Sequence, residues 1–127
     1  MSETNDPQAW VKKAEEDFAL AKTALHRKNP LLTGVCFHAQ QCVEKYMKAL
    51  LISKNAIFPK THDLLMLNNL CSRVGIFLEI DPKLLNTLTD YAVRARYPGE
   101  GPVLEDAKEA MEIAKSARSF ARNFLGM

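Results

Sequence analysis

The chain has 127 residues, 47% hydrophobic and 25% charged, the proportions of an ordinary globular protein. That length can bury a core without a metal or disulfide staple, and the expectation is one helical domain over residues 1–127. Seventeen Lys and Arg against 15 Asp and Glu leave a net charge of +2, too small to drive bulk nucleic-acid binding, so any basic site must be local.

In chain order, Met1 to Gln8 is polar and acidic and lacks the basic and apolar regions of a signal peptide. No apolar run of about 18 residues follows that could span a membrane. The expectation is a cytoplasmic protein without a membrane partner. Asp6-Pro7 reads as an N-cap and a first-turn proline, opening a helix to about Lys28. Trp10, Ala14, Phe18, Ala21 and Leu25 form its apolar face, and Asn29-Pro30 breaks it. A second helix is expected from about Leu31 to Lys54. Its seam is Leu32, Cys36, Ala39, Val43, Tyr46 and Leu50, with Gly34 as the weak point.

After Asn55 and Pro59, Thr61 is expected to cap a third helix with Asp63 in its first turn. Leu64, Leu67, Cys71 and Val74 are its apolar positions, and Gly75 ends it. Val74 to Ile80 carries the one hint of extended chain. Asp81-Pro82 opens a fourth helix with Leu84, Leu88, Tyr91 and Ala95 on its apolar face. Tyr97-Pro98-Gly99 and Gly101-Pro102 make a stiff connection to a last helix, Val103 to about Phe124, seamed by Val103, Ala107, Ala110, Ala114, Ala117, Ala121 and Phe124. Together these segments predict an all-α, up-and-down bundle of four to five helices. Cys36, Cys42 and Cys71 lie within apolar patterns and read as reduced, core-filling thiols.

Three groups of residues can carry chemistry. His38, Gln41, Lys45 and Lys48 recur at steps of three, four and three, a polar stripe beside the seam of the second helix. An imidazole, an amide and two cations could hold a nucleotide, and the same stripe could be a solvated flank. Lys60, Thr61, His62 and Asp63 sit at a helix N-terminus, where an anion is favoured, although Thr61 and Asp63 are also plain capping residues. Arg94, Arg96 and Tyr97 could grip phosphate and stack on a base, or cap carbonyls and pair with Glu100, Glu105 or Asp106. Phosphate held by these cations should bind with strong salt dependence. No P-loop, serine-hydrolase, zinc-protease or paired Cys–His pattern occurs, so neither cofactor nor metal is expected. A metal site would need His26, His38 and His62 to converge from separate segments.

The run His38-Ala39-Gln40-Gln41-Cys42-Val43-Glu44-Lys45-Tyr46-Met47-Lys48-Ala49-Leu50-Leu51, then Thr61-His62-Asp63-Leu64, then Arg96-Tyr97-Pro98, resembles the HEPN family (higher eukaryotes and prokaryotes nucleotide-binding). Ala14-Glu15-Glu16-Asp17 resembles the family's opening. The resemblance implies a helical bundle, a homodimer, and a nucleotidyltransferase partner in a toxin–antitoxin-like pair with a nucleotide as ligand. Family members that cut RNA carry Arg, four to six residues, then His. No histidine follows Arg94 or Arg96, and ten residues separate Arg27 from His38, so no catalytic residue is assigned. The leading expectation is a binding module. The alternatives are a ribonuclease pairing His38 with Arg94 or Arg96, and a purely structural dimeric subunit.

Overall fold

The Asp6 carboxylate accepts the Gln8 N–H at 3.0 Å, and Pro7 takes the first helical position, where an N–H has no partner to lose. In the computed structural model, which describes residues 5–94, 97–99 and 101–127, these two residues open α1, Pro7–Leu25. The helix stops three residues before the expected Lys28. By then the chain is already reversing, with the Leu31 N–H donating to the Ala24 carbonyl at 3.0 Å. Then come α2, Leu32–Ser53; α3, Leu64–Arg73; α4, Pro82–Arg94; and α5, Leu104–Phe124. The protein is thus an all-α bundle, with no strand among the described residues. No helix among them is long and apolar enough to cross a membrane.

The N-cap of α3 is Asp63 and not Thr61. The Asp63 carboxylate accepts the Leu65 and Met66 N–H groups at 3.0 and 3.3 Å, while Thr61 Oγ1 accepts the Asp63 N–H at 3.1 Å. Thr61 therefore shapes the turn before the helix. At its other end α3 closes as expected at Gly75, whose φ of 81° is open to glycine at no steric cost. The Ile76 N–H reaches back to the Cys71 carbonyl at 2.9 Å and the Gly75 N–H to that of Ser72 at 3.1 Å, which satisfies the last turn. The segment that follows has the alternation of a strand but no partner: Ile76 and Leu78 are buried, Phe77 and Glu79 exposed.

Helix α2 is the axis of the bundle. Thirteen of its 22 residues are buried, far more than one face of a surface helix needs, because α1, α3, α4 and α5 all pack against it. The expected seams hold. On α5, Ala107, Ala110, Ala114, Ala117 and Ala121 are fully buried, so this helix approaches α2 closely through methyl groups. The seam's outer members, Val103 and Phe124, remain exposed. Ala95 lies outside the described residues. All three cysteines are buried and unpaired, and burial pushes the Cys36 and Cys71 thiols up to about 12, as inert packing groups require.

Ion pairs fasten the outer helices to this core. Glu15 on α1 takes a forked pair from Arg118 on α5 at 2.7 and 2.9 Å and accepts the Tyr46 hydroxyl of α2. The Arg118 hydrogen bonds, with help from Tyr46, hold the Glu15 carboxyl below its usual value of 4.5 despite partial burial. A depressed carboxyl stabilises the fold above its unfolded pKa, and that contribution fades as pH falls through the lower folded value. Both side chains are about a third exposed, which limits the pair to about 1 kcal/mol. Arg118→Ala is therefore expected to lower the urea-unfolding free energy by about 1 kcal/mol at pH ~7, with the deficit shrinking toward pH ~3. A deficit that stays constant with pH would assign the loss to the stacking of Arg118 over Phe18, whose ring centre lies 4.8 Å away.

Candidate functional site

The stripe on α2 lies on one side of the helix, but its members answer to different neighbours. His38 Nδ1 meets Asp17 Oδ1 at 2.9 Å, and Lys45 Nζ meets Asp17 Oδ2 at 2.5 Å. One buried carboxylate of α1 thus orients an imidazole and answers an ammonium. Lys48, almost fully buried, bonds Glu44 Oε2 at 3.0 Å, and its ammonium lies 5.4 and 5.7 Å from the ring centres of Trp10 and Phe58. Gln41 points elsewhere and donates to Gln40 Oε1 at 2.9 Å. Each lysine of the stripe carries its own carboxylate.

Glu44 has a second duty. Its Oε1 lies 2.7 Å from His62 Nδ1, while Gln40 Nε2 donates to the His62 carbonyl at 2.9 Å. A carboxylate paired with an ammonium only accepts hydrogen bonds, so Nδ1 carries a proton, and in the neutral ring Nε2 keeps the lone pair. The Glu44 side chain is 3% exposed and that of His62 is 73% exposed. A buried acid thus orients an exposed imidazole through its Nδ1 side.

His62 lines a cleft of about 240 Å³ with Phe37, Gln40 and Gln41 of α2, Thr89, Ala92 and Val93 of α4, and Tyr97. Of the residues singled out in the sequence, the cleft brings together Gln41, His62 and Tyr97. Arg94 is not in its lining. That side chain lies 3.0 Å from Asp90 and packs over Tyr91, and Arg96 lies outside the described residues. The Tyr91 hydroxyl donates to Asp106 Oδ1 at 2.7 Å, and Asp106 Oδ2 accepts the Val103 N–H at 2.9 Å. That backbone bond, followed by the one from Tyr91, holds the Asp106 carboxyl below its ordinary range. Asp106 is therefore occupied in closing the α4–α5 corner.

The anion-binding reading of the α3 N-terminus meets a satisfied helix end. Thr89 Oγ1 accepts the Leu64 N–H at 3.2 Å, and Asp63 accepts the next two. A larger hollow of about 430 Å³ runs along α3 past Leu65, Met66 and Leu70, but its carboxylate, Asp63, is spent on the cap. Among the described residues no group of three or more His, Cys, Asp or Glu side chains converges to hold a metal.

Sequence reasoning passed over Asp17, Gln40, Glu44, Phe37 and Thr89 as site residues. The signal for two of them was present: Gln40 and Glu44 stand four apart from each other, and Glu44 four from Lys48, the spacing of stacked helical neighbours. Asp17 sat in the quoted Ala14-Glu15-Glu16-Asp17 run, but no local pattern says that it will face His38.

A sequence model described as the HEPN domain matches residues 7–124. A Methanocaldococcus jannaschii protein named "Putative toxin MJ1304" is 31% identical over 132 residues, covering 91% of this chain and 86% of that protein. Among solved structures, TT1696 from Thermus thermophilus superimposes with a TM-score of 0.74 at 21% identity. The alignment covers 94% of this chain and 98% of that one. ST0689, described as an archaeal HEPN homologue, gives 0.65 at 21% identity over the same shares. These two likenesses establish the shared fold.

Proposed function

The chain belongs to the HEPN domain family, and from that premise we propose that it is the nucleotide- and partner-binding half of a nucleotidyltransferase/HEPN pair of toxin–antitoxin type. The observation that carries the nucleotide reading is the cleft, where Gln41, His62 and Tyr97 converge beside Phe37. Its volume falls just below the roughly 300–1,000 Å³ of drug-sized sites, and it combines apolar walls with a few fixed polar groups. The toxin designation of the archaeal relative supports the paired-module reading.

Partner binding has its own support. Val93, Tyr97, Val103 and Leu104 are exposed around the α4–α5 connection, an apolar rim of the kind that a second protein covers. We assign this rim to a homodimer contact or to the nucleotidyltransferase, in the cytoplasm. The ribonuclease alternative has an oriented His38 but an Arg94 engaged by Asp90, so it stands second.

Mono- and dinucleotides at about 1–10 mM and low salt are expected to raise the melting temperature of the pure protein. A ligand at about a hundredfold over its Kd adds about 2.7 kcal/mol by mass action. If no member of the panel shifts the transition, the nucleotide reading fails and partner binding alone remains.

A further inference from the structure

Resting on the nucleotide reading, we infer that the cleft is a subsite for an amino-bearing nucleobase, read by two hydrogen-bond acceptors and not by a phosphate clamp. The lining decides this. Its side chains are Phe37, Gln40, Gln41, His62, Thr89, Ala92, Val93 and Tyr97, with no lysine or arginine among the described residues. Lys45 and Lys48, the cations nearest along α2, are engaged by Asp17 and Glu44.

Two of the polar groups that remain are acceptors, beside the Tyr97 hydroxyl and the second Gln41 N–H, which can donate to a ring nitrogen. Thr89 Oγ1 already accepts from the Leu64 N–H and donates to the Leu85 carbonyl. Gln40 is spent on the His62 carbonyl and on Gln41. The Gln41 amide donates to Gln40 Oε1, which leaves Gln41 Oε1 as an acceptor with no partner among the described residues. The neutral His62 ring offers the Nε2 lone pair, because its Nδ1–H donates to Glu44. A ligand that answers two acceptors presents N–H donors, and an exocyclic amine on a flat ring supplies them. Phe37 and Tyr97 supply aromatic surface for that ring. At about 240 Å³ the cleft suits one base and leaves the ribose and phosphate outside it. Glu44 acts as a positioning residue that sets the His62 tautomer.

The test uses adenosine, purine riboside (the same nucleoside without the 6-amino group) and adenosine monophosphate in calorimetric titrations of the whole protein. Adenosine and its monophosphate are expected to bind within about twofold of each other, unchanged between about 50 and 500 mM salt. Purine riboside is expected to bind about 5–100-fold more weakly, the worth of two lost hydrogen bonds. His62→Phe keeps a ring, removes one of the two acceptors and is expected to shrink that difference to about 3–10-fold. Equal binding of adenosine and purine riboside by the native protein overturns the inference. So does a monophosphate that binds far more tightly than adenosine and loses its advantage in salt, although the nucleotide reading then survives. If none of the three binds, the inference falls, and the wider nucleotide panel decides the reading beneath it. Nitrogen-15 shifts of the free protein give an independent check: His62 should carry its proton on Nδ1, and an Nε2-protonated ring would overturn the acceptor assignment.

Discussion

Glu44→Ala is expected to destabilise the protein by about 3–5 kcal/mol, the largest loss from any single polar change in the bundle. The reason is the lysine left behind. The Glu44 and Lys48 side chains are 3% and 5% exposed, and no other carboxylate lies within ion-pair distance of the Lys48 ammonium among the described residues. The rings of Trp10 and Phe58, 5.4 and 5.7 Å away, offer a cation–π contact worth about 2 kcal/mol at most, short of what an unpaired buried ammonium costs. His62 and Gln40 lose a partner in the same step. The double change Glu44→Leu, Lys48→Met removes both charges and should recover most of the loss, since well-packed apolar pairs often match a buried ion pair. Urea unfolding of the two variants separates the cases. A loss under about 1 kcal/mol for Glu44→Ala would mean that Lys48 escapes to solvent, and the buried pair described above would be wrong.

Leu50→Ala is expected to cost about 2–5 kcal/mol, the sum of lost transfer energy and the cavity left behind. Leu50 is fully buried on α2, with helices on every side to hold the void open. The matched control is Ile57→Ala in the loop after α2. Ile57 is 93% exposed, and its truncation should stay within about 0.5 kcal/mol. For a domain of this size, 2–5 kcal/mol corresponds to a fall in melting temperature of roughly 8 °C or more. Equal effects at Leu50 and Ile57 would refute the central placement of α2.

Periodicity made the helices legible because each outer helix turns an apolar face to α2. Every apolar position named on α3 is at least partly buried, and the alanine seam of α5 is wholly buried. Helix ends were legible where a capping carboxylate or a glycine dictates them, as at Asp6, Asp81 and Gly75, and misplaced where two candidates competed. Thr61 and Asp63 both cap well, and only the turn that forms between them selects Asp63. The candidate site was less legible. Spacing placed His38, Gln41, Lys45 and Lys48 along one helix side, but the identity of each neighbour is a tertiary fact. Asp17 is 21 residues from His38 and 28 from Lys45, so nothing local could announce that it would engage both. Glu44 stands in the sequence only as part of the run that resembles the family. Its partner His62 comes from a loop whose path depends on how α3 docks.

The unequal anchoring of the helices grades how the bundle opens. Among the described residues α3 packs only on α2 and α4, whereas α2 is enclosed by all four others. Excursions from the native state begin where least is buried, so α3 and the turn ahead of it should detach at small free-energy cost while α2 yields only with the whole. His62 stands on that turn, immediately ahead of the Asp63 cap. One wall of the cleft therefore belongs to the part of the bundle that breathes most, and the opposite wall to the part that breathes least. A ligand gripping both would restrain those excursions, and its arrival would register as rigidity more than as any change of average shape.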